Sequence, residues 1–256
     1  MRHHQRTIGT FFTACAFLLS ASIAFSQPRP PVEKISFSHF TWTVRRTEEP
    51  QGPGSNYFGG RDLSVFSNPD GSVTLKLGYK EGIWYAAELT MDKRLGYGTY
   101  IFQIDTPLSQ LDSNLVLGLF TYSRQNKLNH AEIDLEFSAW GIKKAPVLGQ
   151  FVVQPYTIDG NYKTFPLPRE EGPASYAFTW LPDRIEFAAW LGHGPLPSTA
   201  SPSLIAQWSY TNTQYIPKSG QEYLHMNLYL AEGCSSPSGN GRTSVMIRNF
   251  EFMPAK

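Results

Sequence analysis

Three acids stand at alternate positions in Glu132-Ile133-Asp134-Leu135-Glu136-Phe137. In an extended strand successive side chains face opposite ways. Glu132, Asp134 and Glu136 therefore share one face, while Ile133, Leu135 and Phe137 supply an apolar face for a core. No Lys or Arg interrupts the acids, and like charges side by side on a strand repel. Two situations tolerate that pattern. One is a solvated acidic face, where water screens the charges; the other is a paired-carboxylate site for general acid and nucleophilic work, as in glycoside hydrolysis. The hexapeptide leaves both open. Three carboxyls in one cleft cannot all ionise cheaply once a ligand displaces water. Their titrations must then be coupled, and one retained proton keeps an acid available near neutral pH. At a rise of ~3.4 Å per residue, the Cα atoms of Glu132 and Glu136 would stand roughly 13–14 Å apart on a straight strand. That spacing selects neither the ~5–5.5 Å carboxyl separation of a retaining pair nor the ~6.5–9.5 Å of an inverting one.

Such a row of acids needs strands on either side, and the chain is patterned for them. β-Branched and aromatic runs recur at 35–44, 63–66, 72–79, 83–91, 97–104 and 115–123, and after the acids at 147–157, 175–180, 184–191, 204–210, 223–231 and 243–253. Turn chemistry such as Asn68-Pro69-Asp70-Gly71, Ile158-Asp159-Gly160-Asn161 and Leu181-Pro182-Asp183 separates them. No stretch keeps a 3.6-residue apolar period for long, and 19 Pro with 21 Gly would interrupt most helices. The pattern predicts an all-β chain of about thirteen strands, folded as a jelly-roll sandwich of two antiparallel sheets. The longest loops, at 45–61, 105–114, 192–203 and 232–242, are places where binding function often resides.

The N-terminal part has another character. Arg2 and Arg6 precede a mostly apolar run from Ile8 to Phe25, and Ala24-Phe25-Ser26 fits a small-x-small cleavage pattern. Residues 1–26 therefore read as a secretory signal peptide, with an uncleaved membrane anchor as the alternative. Residues 27–34 read as a Pro-rich lead-in and 35–256 as one domain, secreted or periplasmic and expected to be a monomer. Removing Arg2 and Arg6 leaves 20 basic residues against 21 acids, a net charge near −1. That balance gives no reason to expect nucleic acid or, after cleavage, a membrane as partner. Only Cys234 remains in the mature chain, which excludes an internal disulfide. The mature histidines, His39, His130, His193 and His225, show no metal-ligand spacing, and no G-x-S-x-G elbow occurs. Ser238-Gly239-Asn240-Gly241-Arg242-Thr243 lacks the Lys and the spaced first Gly of a phosphate loop. No metal or other cofactor is implied, and a structural calcium is not readable from the sequence.

The surroundings of the acids carry a resemblance. In order come A-A-E-L-T, Y-G-T-Y-I-F-Q-I, G-L-F-T-Y and E-I-D-L-E-F, then Q-P-Y-T-I-D-G-N, S-Y-A-F-T-W-L-P-D-R-I-E-F and H-M-N-L-Y-L. This order and approximate spacing resemble glycoside hydrolase family 16, the lichenases, laminarinases and xyloglucan transglycosylases, across nearly the whole mature chain. The resemblance implies a curved jelly roll with a concave sugar-binding cleft. It further implies a secreted endo-acting enzyme that cleaves a β-linked polysaccharide, a β-glucan first, with retention. Glu132 would be the nucleophile, Glu136 the general acid/base and Asp134 the carboxyl that tunes the nucleophile. Matching positions imply cleft-lining roles for Phe120, Tyr122, Gln154, Tyr156, Trp180, Asn227 and Tyr229, each with a plain alternative in sheet packing. A transglycosylase on the same intermediate and a silent lectin-like binder are the competing readings.

Four positions depart from the family pattern. His130 stands where relatives often place Trp, and Thr90 where lichenases place a substrate-binding Arg after the retained Glu88. Tyr229 replaces a Trp, and Gln154 an Asn. On a regular strand His130 would share the face of Glu132 and sit beside the reacting sugar. These changes spare the three acids but bear on which glycan is bound.

Overall fold

The computed structural model describes residues 32–168 and 172–256; the signal-peptide reading of 1–26 lies outside them. The expected alternation is present throughout. The chain opens with β1 (Glu33–Phe37) and β2 (Phe40–Val44), then β3 (Tyr57–Phe58), a short helix α1 (Gly60–Leu63), β4 (Val65–Ser67) and β5 (Val73–Lys76). There follow β6 (Gly78–Lys80), β7 (Ile83–Met91), β8 (Gly98–Ile104), β9 (Leu115–Tyr122), β10 (Ile133–Ser138), β11 (Leu148–Val153) and β12 (Tyr162–Pro166). The last strands are β13 (Ala174–Trp180), β14 (Ile185–Leu191), β15 (Leu204–Tyr210), β16 (Tyr223–Leu230) and β17 (Ser244–Pro254).

Two sheets result. One runs β1-β2-β7-β16-β9-β10-β11-β12, with β3 and β6 also paired to β7; the other runs β15-β14-β13-β8-β17-β5-β4. Among the described residues every strand pairing is antiparallel except β3 with β7. The fold is the expected jelly roll. Leu117 and Leu119 of β9, Ile133, Leu135 and Phe137 of β10, and Met226 and Leu228 of β16 enter one core with Phe102, Tyr176, Phe178 and Phe250 of the second sheet. Aromatic contacts bridge the layers: Phe137 meets Tyr176 edge-on at 4.5 Å and Phe151 stacks on Phe187 at 5.1 Å. Each such side chain contributes about 1.5–3 kcal/mol by leaving water; Cys234, the cysteine among the described residues, is free.

Four local expectations need correction. The 35–44 run is a hairpin, not one strand, because Ser38 and His39 take left-handed φ values of 50° and 65° at its tip. β1 begins at Glu33, so the lead-in to 34 overlaps the sheet. Tyr162–Pro166 forms β12, an edge strand whose Tyr-Lys-Thr-Phe-Pro pattern buries only Phe165 and so lacks the apolar signal of its neighbours. Trp180 is not in the cleft. It lies fully buried in the second sheet, where its indole N–H donates to Pro217 O at 3.1 Å.

Candidate active site

Residues of β10 that face away from the core continue in rows across four further strands. Asp134 pairs with Phe120 of β9, Phe120 with His225 of β16, His225 with Thr90 of β7, and Thr90 with Thr43 of β2. The next row runs Glu136, Gly118, Asn227 and Glu88, and Arg45 closes it through a backbone bond to Glu88 O. A third pairs Tyr122 with Tyr223. These rows floor a groove of about 860 Å³ on the face of the first sheet turned away from the core, and Glu132, Asp134, Glu136, Phe120, Tyr122, Asn227 and Tyr229 all line it.

Glu132 reaches the groove by irregular backbone. β10 starts only at Ile133, and His130 and Ala131 hold φ values of 54° and 49°, a region non-glycine residues rarely occupy. A turn fixes them. Glu132 N donates to Asn129 O at 3.0 Å, Ala131 N to Asn129 Oδ1 at 3.1 Å, and Thr121 Oγ1 to Ala131 O at 2.8 Å. His130 is therefore not on the regular strand face that the alternation predicts. Its ring stacks on Tyr122 at 5.2 Å, beside the groove lining rather than within it, and its buried Nδ1 has no partner.

Electrostatics at the acids are dominated by burial. Burial raises Glu132 to about 8, helped by the charge of Glu136 and opposed by a hydrogen bond with Asp134. Glu136 rises to about 7 through burial. Asp134, only 3% exposed, rises well above the usual range through burial and then through Glu132 and Glu136, against a 3.1 Å bond donated by Gln154 Nε2. Tyr156 N donates to Gln154 Oε1 at 2.9 Å, which orients that amide; the Tyr156 ring itself lies 61% exposed outside the groove. The Tyr229 phenol is pushed up by burial and by the charges of Glu136, Asp134, Glu132 and Glu88. The three acids thus titrate as a set that keeps protons near neutrality.

Beside them Gly118 makes room for the Asn227 side chain. A Cβ there would stand 2.6 Å from Asn227 Oδ1, and that oxygen is buried without a partner. An unpaired buried acceptor costs on the order of 1–3 kcal/mol.

The far wall brings together residues that the sequence reading did not group. Glu88, 5% exposed, bonds Arg45 at 2.8 Å and His225 Nδ1 at 3.1 Å. Burial works to raise its carboxyl, but His225 and Arg45 outweigh it and hold the pKa below the usual value. With Glu88 ionised, His225 Nδ1 carries the proton, which Thr90 Oγ1 also accepts at 3.1 Å. The imidazole stacks on Phe120 at 5.0 Å. These residues come from separate strands; the sequence pointed to Glu88, Thr90 and Phe120 one by one but gave no signal for Arg45 or for a wall built with His225.

Ser238 and Gly239, in the segment that failed the phosphate-loop criteria, cradle an anion of the chain itself. Ser238 N, Ser238 Oγ and Gly239 N donate to the Asp112 carboxylate at 2.8, 2.8 and 2.9 Å. Among the described residues no cluster of three His, Cys, Asp or Glu could hold a metal ion, and no helix is long and apolar enough to cross a membrane.

No family model and no curated protein matches the sequence. Solved structures do match. A Bacillus licheniformis β-glucanase aligns with a TM-score of 0.60 at 18% identity, over 84% of this chain and 92% of its own. A β-1,3-1,4-glucanase (lichenase) derived from a mouse hindgut metagenome gives 0.57 at 17%, over 84% and 93%. A glycosyl hydrolase family 16 protein from Mycobacterium smegmatis gives 0.57 at 14%, over 88% and 94%. At such identities the likeness establishes a shared fold, the jelly roll of these glucanases.

Proposed function

We propose that the chain is a glycoside hydrolase of the family 16 type, exported through residues 1–26, that cleaves internal bonds of a β-linked polysaccharide by double displacement. The observation that carries this reading is the alignment of Glu132, Asp134 and Glu136 in one groove, with proton affinities raised by burial. Glu136 protonates the glycosidic oxygen as Glu132 attacks the anomeric carbon, forming a glycosyl ester. Glu136 then takes a proton from water, which attacks the same carbon and frees the sugar. Glu132 is raised further than Glu136, the reverse of the order expected if nucleophile and acid titrated independently. The hydrogen bond between Asp134 and Glu132 supplies the needed microstate, with the proton on Asp134 and the charge on Glu132.

The test is incubation with a panel of soluble β-glucans and galactans, read by reducing ends and chain length. New reducing ends with shortened chains are expected. Redistribution of chain lengths without new ends would make the protein a transglycosylase, and binding without either a lectin. Export is tested separately by N-terminal sequencing of the secreted form, expected to begin at or near Gln27.

A further inference from the structure

The groove has an end that the mechanism does not use. Eight arginines fall within the described residues. Six are engaged through their side chains: Arg45 with Glu88 and Gln51, Arg46 with Glu33 and Asp62, Arg61 with Lys34 O, Arg184 with Asp183, Arg242 with Gln110, and Arg248 with Asp70 and Asp105. Arg94 and Arg124 are the two whose guanidinium groups donate to no described residue, and both line the groove.

Their placement follows from register. Tyr223 of β16 pairs with Tyr122 at the end of β9, and His225 with Thr90 near the end of β7. Arg124 therefore follows β9 and Arg94 follows β7 at the same end of the sheet, with β16 between them. Alternate strands lie ~9–10 Å apart, so the two arginines flank Tyr223. The Arg94 guanidinium lies over the Tyr223 ring, 4.7 Å from its centroid. That face contact anchors the group while leaving its in-plane N–H donors available. Gln125 and Gln221 line the same end. Neither arginine stabilises the fold through an ion pair. Neither tunes the acids, since the shift of Glu132 comes from burial, Glu136 and Asp134.

Cations that neither hold the fold nor adjust the acids are spare donors for a ligand, and guanidinium matches planar or tetrahedral oxyanions. We propose that this end of the groove is an anion subsite in which Arg94 and Arg124 bind a sulfate ester or carboxylate carried by a sugar ring, so that the preferred substrate is an anionic β-glycan. The inference rests on the groove being the glycan-cleaving site and specifies its substrate class.

The test measures binding apart from turnover. Glu132→Gln protein is titrated calorimetrically with a soluble β-1,3-1,4-glucan, its sulfated derivative and its C6-oxidised uronate derivative, at low and high salt. At least one anionic derivative should bind about tenfold tighter than the neutral parent at low salt, the difference shrinking at high salt. Adding Arg94→Gln and Arg124→Gln should abolish that preference while the protein stays folded and still binds the neutral glucan. A preference confined to the sulfated or to the uronate arm assigns the anion. Equal binding of all three glycans, or a preference that survives the double substitution, would overturn the subsite. Failure of the hydrolase reading shows elsewhere: the wild type would bind the anionic glycan through these arginines yet release no reducing ends.

Discussion

Among the described residues, acids gather near a histidine in two contrasting places, the groove on the first sheet and the loops beside the second. Beside the second sheet Asp105 accepts from Arg248 Nε at 2.7 Å and lies 2.7 Å from His193 Nε2; Arg248 also bonds Asp70 at 2.6 Å. Ser175 Oγ lies 3.4 Å from His193 Nδ1, completing a set of residue types that hydrolases use. Yet Ser175 is fully buried and its hydroxyl donates to Gly192 O at 2.7 Å. Bonds to Arg248 and His193 overcome burial and hold Asp105 below the usual carboxylate range. In the groove, by contrast, no cation among the described residues pairs with Glu132, Asp134 or Glu136, and all three are raised. The two places differ in residual frustration rather than in residue type.

The largest test of that contrast is on turnover. Glu132→Gln should cut kcat on a soluble β-glucan by on the order of 10⁴-fold, whereas Ser175→Ala should leave kcat within about twofold while losing about 1 kcal/mol of stability with its hydrogen bond. Comparable losses of activity in the two variants would erase the distinction. Next in size is pH. Glu136 must hold its proton to act as acid, so kcat/KM should fall as pH rises past about 7, approaching tenfold per unit. A rate that stays flat to pH 9 would remove Glu136 from that role.

Stability should respond with opposite signs. The groove carboxyls have folded pKa values above their unfolded values near ~4.3. Between there and about 8 the folded state holds the extra protons, and stability declines with rising pH. Asp105 is shifted down, so its contribution is present above the unfolded pKa and lost as pH falls through the folded one. Denaturant melts at pH 8 should show Glu136→Gln gaining about 1–2 kcal/mol and Asp105→Asn losing about 1–2 kcal/mol. The gain should vanish near pH 4. Equal shifts at both pH values would mean that packing rather than charge sets them.

Two smaller effects sharpen the boundary of the groove. Trp180→Phe removes the bond to Pro217 O and should cost about 1–3 kcal/mol in a urea melt without changing KM. A KM change without a stability loss would return Trp180 to the cleft. Tyr156→Ala is expected to be the mildest, within about 0.5 kcal/mol in stability, with KM for glucan oligosaccharides little altered.

The acidic strand was legible because period two is local: alternation alone assigns a face to each of its residues. The sandwich was legible for the same reason, repeated along the chain. Trp180 misled because a strand motif fixes side-chain parity but not which sheet the strand joins. His130 misled because left-handed backbone at 130 and 131 breaks the alternation just ahead of Glu132. The Arg45–Glu88–His225 wall could not be read at all, since β2, β7 and β16 become neighbours only through non-sequential pairing. Asn227 and Gly118 share this origin: the missing side chain of Gly118 and the amide of Asn227 that fills its place meet only across β9 and β16.

The first hairpin has a consequence for the order of synthesis. Ser38, at its tip, receives Phe250 N at 2.8 Å and donates to Asn249 Oδ1 at 2.7 Å, closing a loop of more than two hundred residues. Arg45 extends from the second strand of that hairpin, so the groove's far wall hangs on an element latched to the final strand. A nascent chain halted before β17 keeps the pairing of β2 with β7 but lacks the Ser38 contacts to the final strand. The groove floor itself is complete only once β16 has joined β7 and β9.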